Sequence, residues 1–238
     1  MNLNVICGIL LFCIFSCTQK PNQNNEEILI HESVISNPDN WIAEIEDTKG
    51  STISFSENKL EIDVSKGATI WFKEKLAGNI IIEYDATVIS KGGPNDRVSD
   101  LNCFWMFSNP AEEDGDLNFG NNTRNGKFSN YHKLQGYYVG LGGHNNSKTR
   151  FRRYNCQENR NLLREHDLSD KKHLITPNKK YRIQLVVNGK TIKYIRDGEI
   201  IFNWEDGQPL KSGWFAFRTV RNHMIIENYR VKRINSTL

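Results

Sequence analysis

The sequence predicts an all-β sandwich, and three observations carry that prediction. From about residue 28 onward the apolar residues recur with period two rather than the 3.6 of a helix. Two dipeptides, Asn188-Gly189 and Asp197-Gly198, stand where tight hairpins need positive φ. No sustained amphipathic helix and no internal repeat interrupts the pattern. In the first strand of note, Ile80, Ile82, Tyr84, Ala86 and Val88 share one face, and Glu83 and Asp85 lie on the other. Tyr181, Ile183, Leu185 and Val187 repeat the arrangement, with Arg182 and Gln184 opposite. The two dipeptides divide a meander of YRIQLVV, TIKYIR and EIIFNW, and GWFAFR and MIIENYRV supply closing strands. Short strands with turns at this spacing pack as two antiparallel sheets.

The first residues point to a compartment. Residues 5–15, VICGILLFCIF, are an unbroken apolar run of eleven. A membrane span needs about 20, so the run has the length of a signal-peptide core. It ends in Ser16-Cys17 and gives way to the polar stretch TQKPNQNNEE. A small residue followed by cysteine resembles the bacterial lipobox, which implies that Cys17 is lipidated and becomes the new N-terminus. A plain signal peptide cleaved nearby is the alternative. The expected organisation is a signal over residues 1–16, a flexible tether over 17–29 and one sandwich domain over 30–238. The expected location is the periplasmic or outer face of a bacterial membrane.

Cys7 and Cys13 leave with such a signal, so Cys103 and Cys156 are the cysteines of the domain. One disulfide or two unpaired thiols are both open. There is no CxxC, HxxxH or HExxH, and no cofactor is expected. A net charge of +3 is close to balance, so nothing global suggests nucleic acid. Residues 108–130 break the period: they are polar, rich in glycine and asparagine, and long for a structureless connection. Within them Asp114-Gly115-Asp116-Leu117-Asn118 looks like the start of a calcium loop, but Asn125 stands where the bidentate glutamate belongs. An acidic loop is the simpler reading, with a structural calcium kept as the alternative.

Four polar and aromatic segments hold the residues able to carry chemistry. The first, GGPNDRVSDLNCFWM, contributes Asn95, Arg97, Asp100, Asn102 and Trp105. The second contributes His132, Tyr137, Tyr138, His144 and Asn145. The third, TRFRRYN, places Arg150, Arg152 and Tyr154 on one face if it is a strand. The fourth, RTVRNH, contributes Arg218, Arg221 and His223. Two guanidiniums on one strand face repel unless an anion lies between them, and the planar guanidinium fork grips carboxylates and sulfates bidentately. A solvated strand paired with Glu83, Asp85, Asp96 or Asp100 accounts for any single arginine. For the whole set, a concave face that recognises anions is the better account. The interleaved Trp105, Tyr137, Tyr138 and Tyr154 suggest a sugar, whose C–H faces stack on aromatic rings. Phe104 and Phe215 are expected in the core.

These segments also carry a resemblance. From about residue 41 to 233 the chain resembles the concanavalin A-like lectin/glucanase superfamily of jelly rolls. Within it, the chain is similar to a group of exported proteins, often lipoproteins, from polysaccharide-utilising bacteria, a group without an assigned reaction. GGPNDRVSDLNCFWM and GWFAFRTVRNHM are the most specific matches. A more distant likeness to YesU-like proteins runs through Tyr131-His132, Phe151-Arg152, Asn155, the Asp-Gly hairpin, Gly213 and Phe217-Arg218. The resemblance implies a jelly roll acting on an acidic, uronate-containing plant or algal polysaccharide.

Three functions fit this inventory. A polysaccharide lyase needs a carboxylate neutraliser, a base and an acid. Jelly-roll lyases use Arg or Asn/Gln, His and Tyr in those roles, which implies Arg150, Arg152, Arg218 or Asn145, then His144 or His132, then Tyr138, Tyr137 or Tyr154. A glycoside hydrolase would need paired carboxylates; the E-x-D-x-E triplet of retaining glucanases is absent, and only Glu83-x-Asp85 offers a pair. A non-catalytic glycan-binding protein needs only the arginine and aromatic face. The lyase is the first expectation, acting as a monomer.

Overall fold

The computed structural model describes residues 26–32, 34–120, 124–158 and 162–235. The proposed signal, Cys17 and most of the tether lie outside them. The strands, in order, are β1 (Glu26–Glu32), β2 (Trp41–Ile45), β3 (Thr52–Ser56), β4 (Lys59–Phe72), β5 (Leu76–Ala77), β6 (Ile80–Val88) and β7 (Leu101–Ser108). Then come β8 (Gln135–Gly142), β9 (Lys148–Asn155), β10 (Asp167–Leu168), β11 (Lys180–Asn188), β12 (Thr191–Arg196), β13 (Glu199–Glu205) and β14 (Ser212–Asn235). β1 opens at Glu26, four residues before the expected domain start, because it pairs with the end of β14.

Two antiparallel layers share the two longest strands. The first half of β14 pairs with β7 and with the end of β4, and β2, β8, β9 and β10 complete that front layer. The second half of β14 pairs with the start of β4 and with β6, and β3, β11, β12 and β13 complete the rear layer. What reads as two closing strands is thus one strand that bends at two bulges, after Val220 and after Glu227, and so passes from layer to layer. Asp197 and Gly198 both take positive φ, as a tight hairpin with this dipeptide requires. In the other hairpin the loop residues are Gly189-Lys190, and only Gly189 has positive φ.

The alternation read from sequence packs between the layers. Ile80, Ile82, Tyr84, Ala86, Val88 and Tyr181, Ile183, Leu185, Val187 are all buried there. The front layer contributes Phe72, Cys103, Trp105, Tyr137, Val139, Phe151 and Phe217 to the same core. Cys103 is buried and Cys156 exposed, and both are free thiols. Burial pushes the Cys103 thiol up to about 12.

A second apolar cluster lies on the other face of the front layer. Trp71, Phe104, Tyr138, Tyr154, Trp214 and Ala216 point away from the main core. Residues 109–120 and 124–134 fold back over them, seating Leu117, Phe119, Phe128, Tyr131 and Leu134 on the strands. The stretch that breaks the period is therefore a cover. Glu44 of β2 fastens it: its Oε2 accepts from Tyr131 Oη (2.7 Å) and Trp71 Nε1 (2.9 Å), and its Oε1 pairs with Arg124 Nη2 at 3.0 Å. Within the acidic loop, Asp116 Oδ1 accepts the Asn118 amide at 3.0 Å, and the Lys75 ammonium donates to the Asp114 carbonyl. No cluster of three or more His, Cys, Asp or Glu suited to a metal occurs among the described residues.

Candidate functional site

From the last residue of β8 the sequence runs GGHNN, and these are the residue types that tolerate the left-handed region best. Gly142, His144, Asn145 and Asn146 all take positive φ there. Asn146 locks the turn by exchanging two 2.8 Å bonds with the Ile175 backbone, its Nδ2 donating to the carbonyl and its Oδ1 accepting the amide. The result is that His144, which is exposed, stands over the end of β9.

Strand register sets the rest. Tyr138 lies opposite Arg152, and Gly140 lies opposite Arg150. All four face outward, and with Lys148 two residues before Arg150 they line a cleft of about 320 Å³. Its walls are Phe128 on one side, and His144 and Asp100 on the other. Gly140 leaves room for the Tyr138 phenol, since a Cβ there would lie 2.4 Å from Tyr138 Oη. Arg150 donates from Nε and Nη2 to the two carboxylate oxygens of Asp167 (2.9 and 3.2 Å). The hydrogen bond from Arg150 holds Asp167 below the usual carboxylate range; burial opposes this, and the charges of Arg150, Lys148 and Arg152 reinforce it. Arg150 Nη1 also meets His144 Nε2 at 2.7 Å. A guanidinium only donates, so that contact needs a lone pair on Nε2 and places the imidazole proton on Nδ1.

The sequence candidates therefore divide. Tyr138, His144, Arg150, Arg152 and Asp100 meet at the cleft. Trp105 and Tyr137 point to the opposite face and are fully buried in the main core, so they cannot stack on a sugar. Tyr137 Oη instead donates to Asp206 at 2.7 Å. Tyr154 faces the correct side but is buried beneath the cover. His132 packs on Phe128 and Tyr154 and does not line the cleft.

The remaining candidates form a clasp between the first and fourth motifs. Asp96 Oδ1 meets His223 Nδ1 (2.9 Å), and Glu61 takes the other ring nitrogen (2.8 Å). Arg97 donates to the carbonyls of Val220 and Arg221, to Asp100 and, at 2.8 Å, to Asn145 Oδ1. Asn222 donates to the Ser99 carbonyl, and Asn95 ties Asp63 at 2.8 Å to the Gly50 carbonyl at 3.1 Å. Asn102 is buried and donates to Asp100 at 3.3 Å. The Arg221 side chain is exposed at a bulge, away from the cleft lining. Two motifs read as a recognition face thus bond to one another, and through Arg97 they hold Asp100 at the cleft and Asn145 in the turn that carries His144.

Arg218 belongs to neither group. It is 1% exposed, with Nη1 donating to the Ala68 carbonyl at 2.8 Å. Its Nε and Nη2 have no acceptor among the described residues. Phe128 and Tyr131 cover it, their ring centres 5.2 and 5.5 Å from the guanidinium carbon. Glu83 and Asp85 lie on the outer face of the rear layer. Glu83 accepts from Gln184 at 2.6 Å and pairs with Lys232 at 3.2 Å, and Asp85 accepts from Asn228 at 2.7 Å. That pair is engaged by neighbours and lies on the layer opposite the cleft. Sequence reasoning missed Lys148, Phe128, Gly140 and Asp167. Carrying the alternation of Arg150 and Arg152 back two residues finds Lys148; the others carry no local signal.

The family described as a domain of unknown function, DUF6250, matches residues 62–229, which take in β6 to β9, most of the clasp and the whole cleft. The chain belongs to that family. Among curated proteins none matches the chain. A Bacillus subtilis protein of unknown function with a galectin-like fold is similar at 16% identity and TM-score 0.66, covering 90% of this chain and all of its own. An endo-β-1,3-glucanase from Pyrococcus furiosus is similar at 10% identity and TM-score 0.56, covering 90% and 99%. A carbohydrate-binding module from Bacillus subtilis is similar at 12% identity and TM-score 0.51, covering 81% and 95%. These likenesses show that the DUF6250 chain has a jelly-roll fold of the galectin-like kind, the fold its motifs imply. At such identities they speak to fold, and the reaction has to be argued from the cleft.

Proposed function

We propose that the protein is an exported, Cys17-anchored, carbohydrate-active protein whose cleft takes an acidic sugar and cleaves its glycan by β-elimination. One observation carries this reading: Lys148, Arg150 and Arg152 converge with Tyr138 and His144 in a single open cleft. The cations neutralise the uronate carboxylate and so acidify the adjacent C5–H. His144 takes the C5 proton, the C4–O bond breaks, a C4=C5 double bond forms, and Tyr138 gives its proton to the leaving oxygen. For this, Arg150 Nη1 has to turn from His144 to the carboxylate, which frees the Nε2 lone pair. Substrate binding and release of the base are then one event.

A second reading has its own support. The His144 lone pair is engaged by Arg150 at 2.7 Å in the protein without sugar, an arrangement that suits a binder needing no base. Incubation with pectate, alginate and glucuronan separates the two. Ultraviolet absorbance of the unsaturated uronate that rises with the protein, and is lost in His144→Ala and Tyr138→Phe, supports the lyase. Retarded migration in a glycan-containing gel without absorbance supports the binder. Neither signal with any acidic glycan refutes the acidic-sugar reading.

A further inference from the structure

Strand register lays two rows of side chains across the outer face of the front layer. One is mainly apolar and ends in a cation: Ile42, Trp71, Ala216, Phe104, Tyr138 and Arg152 face one another strand by strand. The next is polar: Glu44, Thr69, Arg218, Asn102, Gly140 and Arg150, ending at Asp167. A glycan running across the sheet would have to lie along these rows. It cannot do so past the middle. Trp71, Phe104 and Ala216 are fully buried under residues 109–120 and 124–134, and Thr69, Arg218 and Asn102 are buried with them. The open part begins at Tyr138 and Gly140 and stops at Phe128.

That wall is built to stay closed. Arg124 and Tyr131 both hold Glu44, the first residue of the polar row, so the cover is pinned at the far side of the sheet from the cleft. The cleft of about 320 Å³ is at the low end of the range of about 300–1,000 Å³ for small-molecule sites. It suits one or two sugar rings. Behind Phe128 the Arg218 guanidinium has two nitrogens, Nε and Nη2, without an acceptor among the described residues. The blind end of the cleft therefore carries a buried cation that Asp100 offsets through its charge without bonding to it.

We infer that the cleft takes the end of an acidic glycan chain, its terminal carboxylate towards the Arg218 side, and does not take the chain's interior. This rests on the acidic-sugar reading above. An interior site offers a long chain many registers, so affinity per chain rises with length; an end site offers one.

The test is calorimetric titration of the purified protein with galacturonate and mannuronate oligomers: monomer, dimer, trimer, a long oligomer, and the long oligomer with both ends blocked by a bulky aromatic label. The expected result is affinity that rises to the dimer or trimer, then stays level within about threefold, and falls more than about tenfold when the ends are blocked. A long oligomer that binds more than about tenfold tighter than the trimer, or end-blocked chains that bind as well as free ones, overturns the chain-end inference and leaves the acidic-sugar reading intact. No binding by either series overturns both. Phe128→Ala, which lowers the wall without touching the Glu44 fastening, is expected to restore length dependence. If it binds long and short chains alike, Phe128 is not the wall and the inference fails.

Discussion

Gly140→Ala tests the cleft at its centre. The backbone there accepts alanine, because its φ is not among the positive ones. The added Cβ would lie 2.4 Å from Tyr138 Oη, 2.9 Å from Cζ and 3.1 Å from Cε1. Non-bonded contact is comfortable near 3.5 Å, so the phenol has to move by roughly 1 Å. Overpacking costs about 1–3 kcal/mol, and here the low end applies, since the displaced atoms are the tip of a side chain that opens on the cleft. About 1 kcal/mol lowers Tm by about 2–4 °C for a domain of this size. A misplacement of about 1 Å at a reacting group costs far more, about 10²-fold in rate. The expected outcome is a protein nearly as stable as the parent whose elimination rate falls to the level of Tyr138→Phe. The double variant with Tyr138→Phe should be no worse than Tyr138→Phe alone, because both changes act through one hydroxyl. Thermal denaturation and initial rates of absorbance increase supply the measurements. If Gly140→Ala shows the small Tm loss yet keeps its rate within about twofold, Tyr138 Oη is not at the reacting position and the acid assignment is wrong.

Three further outcomes follow from the same geometry. In the clasp, burial pulls His223 down, but its bonds to Glu61 and Asp96 and the charges of Asp63 and Asp96 outweigh it, so its pKa is raised above 6.5. Its stabilisation is complete below that ordinary value and is lost as pH rises through the raised one; urea midpoints of His223→Gln between about pH 6 and 9 should lack this decline. Asn146→Ala removes two 2.8 Å bonds and leaves a non-glycine residue at φ 59, which should cost about 2–4 kcal/mol in urea unfolding, whereas Asn146→Gly should recover about 1 kcal/mol of it. Of the two domain thiols, Cys156 should label in the native state and Cys103 only after unfolding; native labelling of Cys103 would contradict its burial.

The rear-layer strands were legible because their signal is local. Alternation at Ile80–Val88 and the Asp197-Gly198 turn depend only on side-chain period and backbone sterics. The cleft was half legible for the same reason: Arg150 and Arg152 share a face wherever β9 is placed. What local pattern could not say is which of a strand's two faces is covered. In β7 and β8 both faces are apolar, so Trp105 and Tyr137 looked as available as Tyr138. Their burial follows from which layer packs where, and from a cover whose own residues look like a polar loop.

By itself, then, the sequence determined the strand periods, the Asp197-Gly198 hairpin and the cationic strand, since each is settled within a few residues by sterics or spacing. Only the tertiary structure decided that Asp167 grips Arg150, that Glu44 holds Arg124 and Tyr131 of the cover, and that Arg218 is walled off behind Phe128. Those contacts join residues far apart in the chain. Their partners are chosen by strand order and register, and β14 sets both by bending through the two layers.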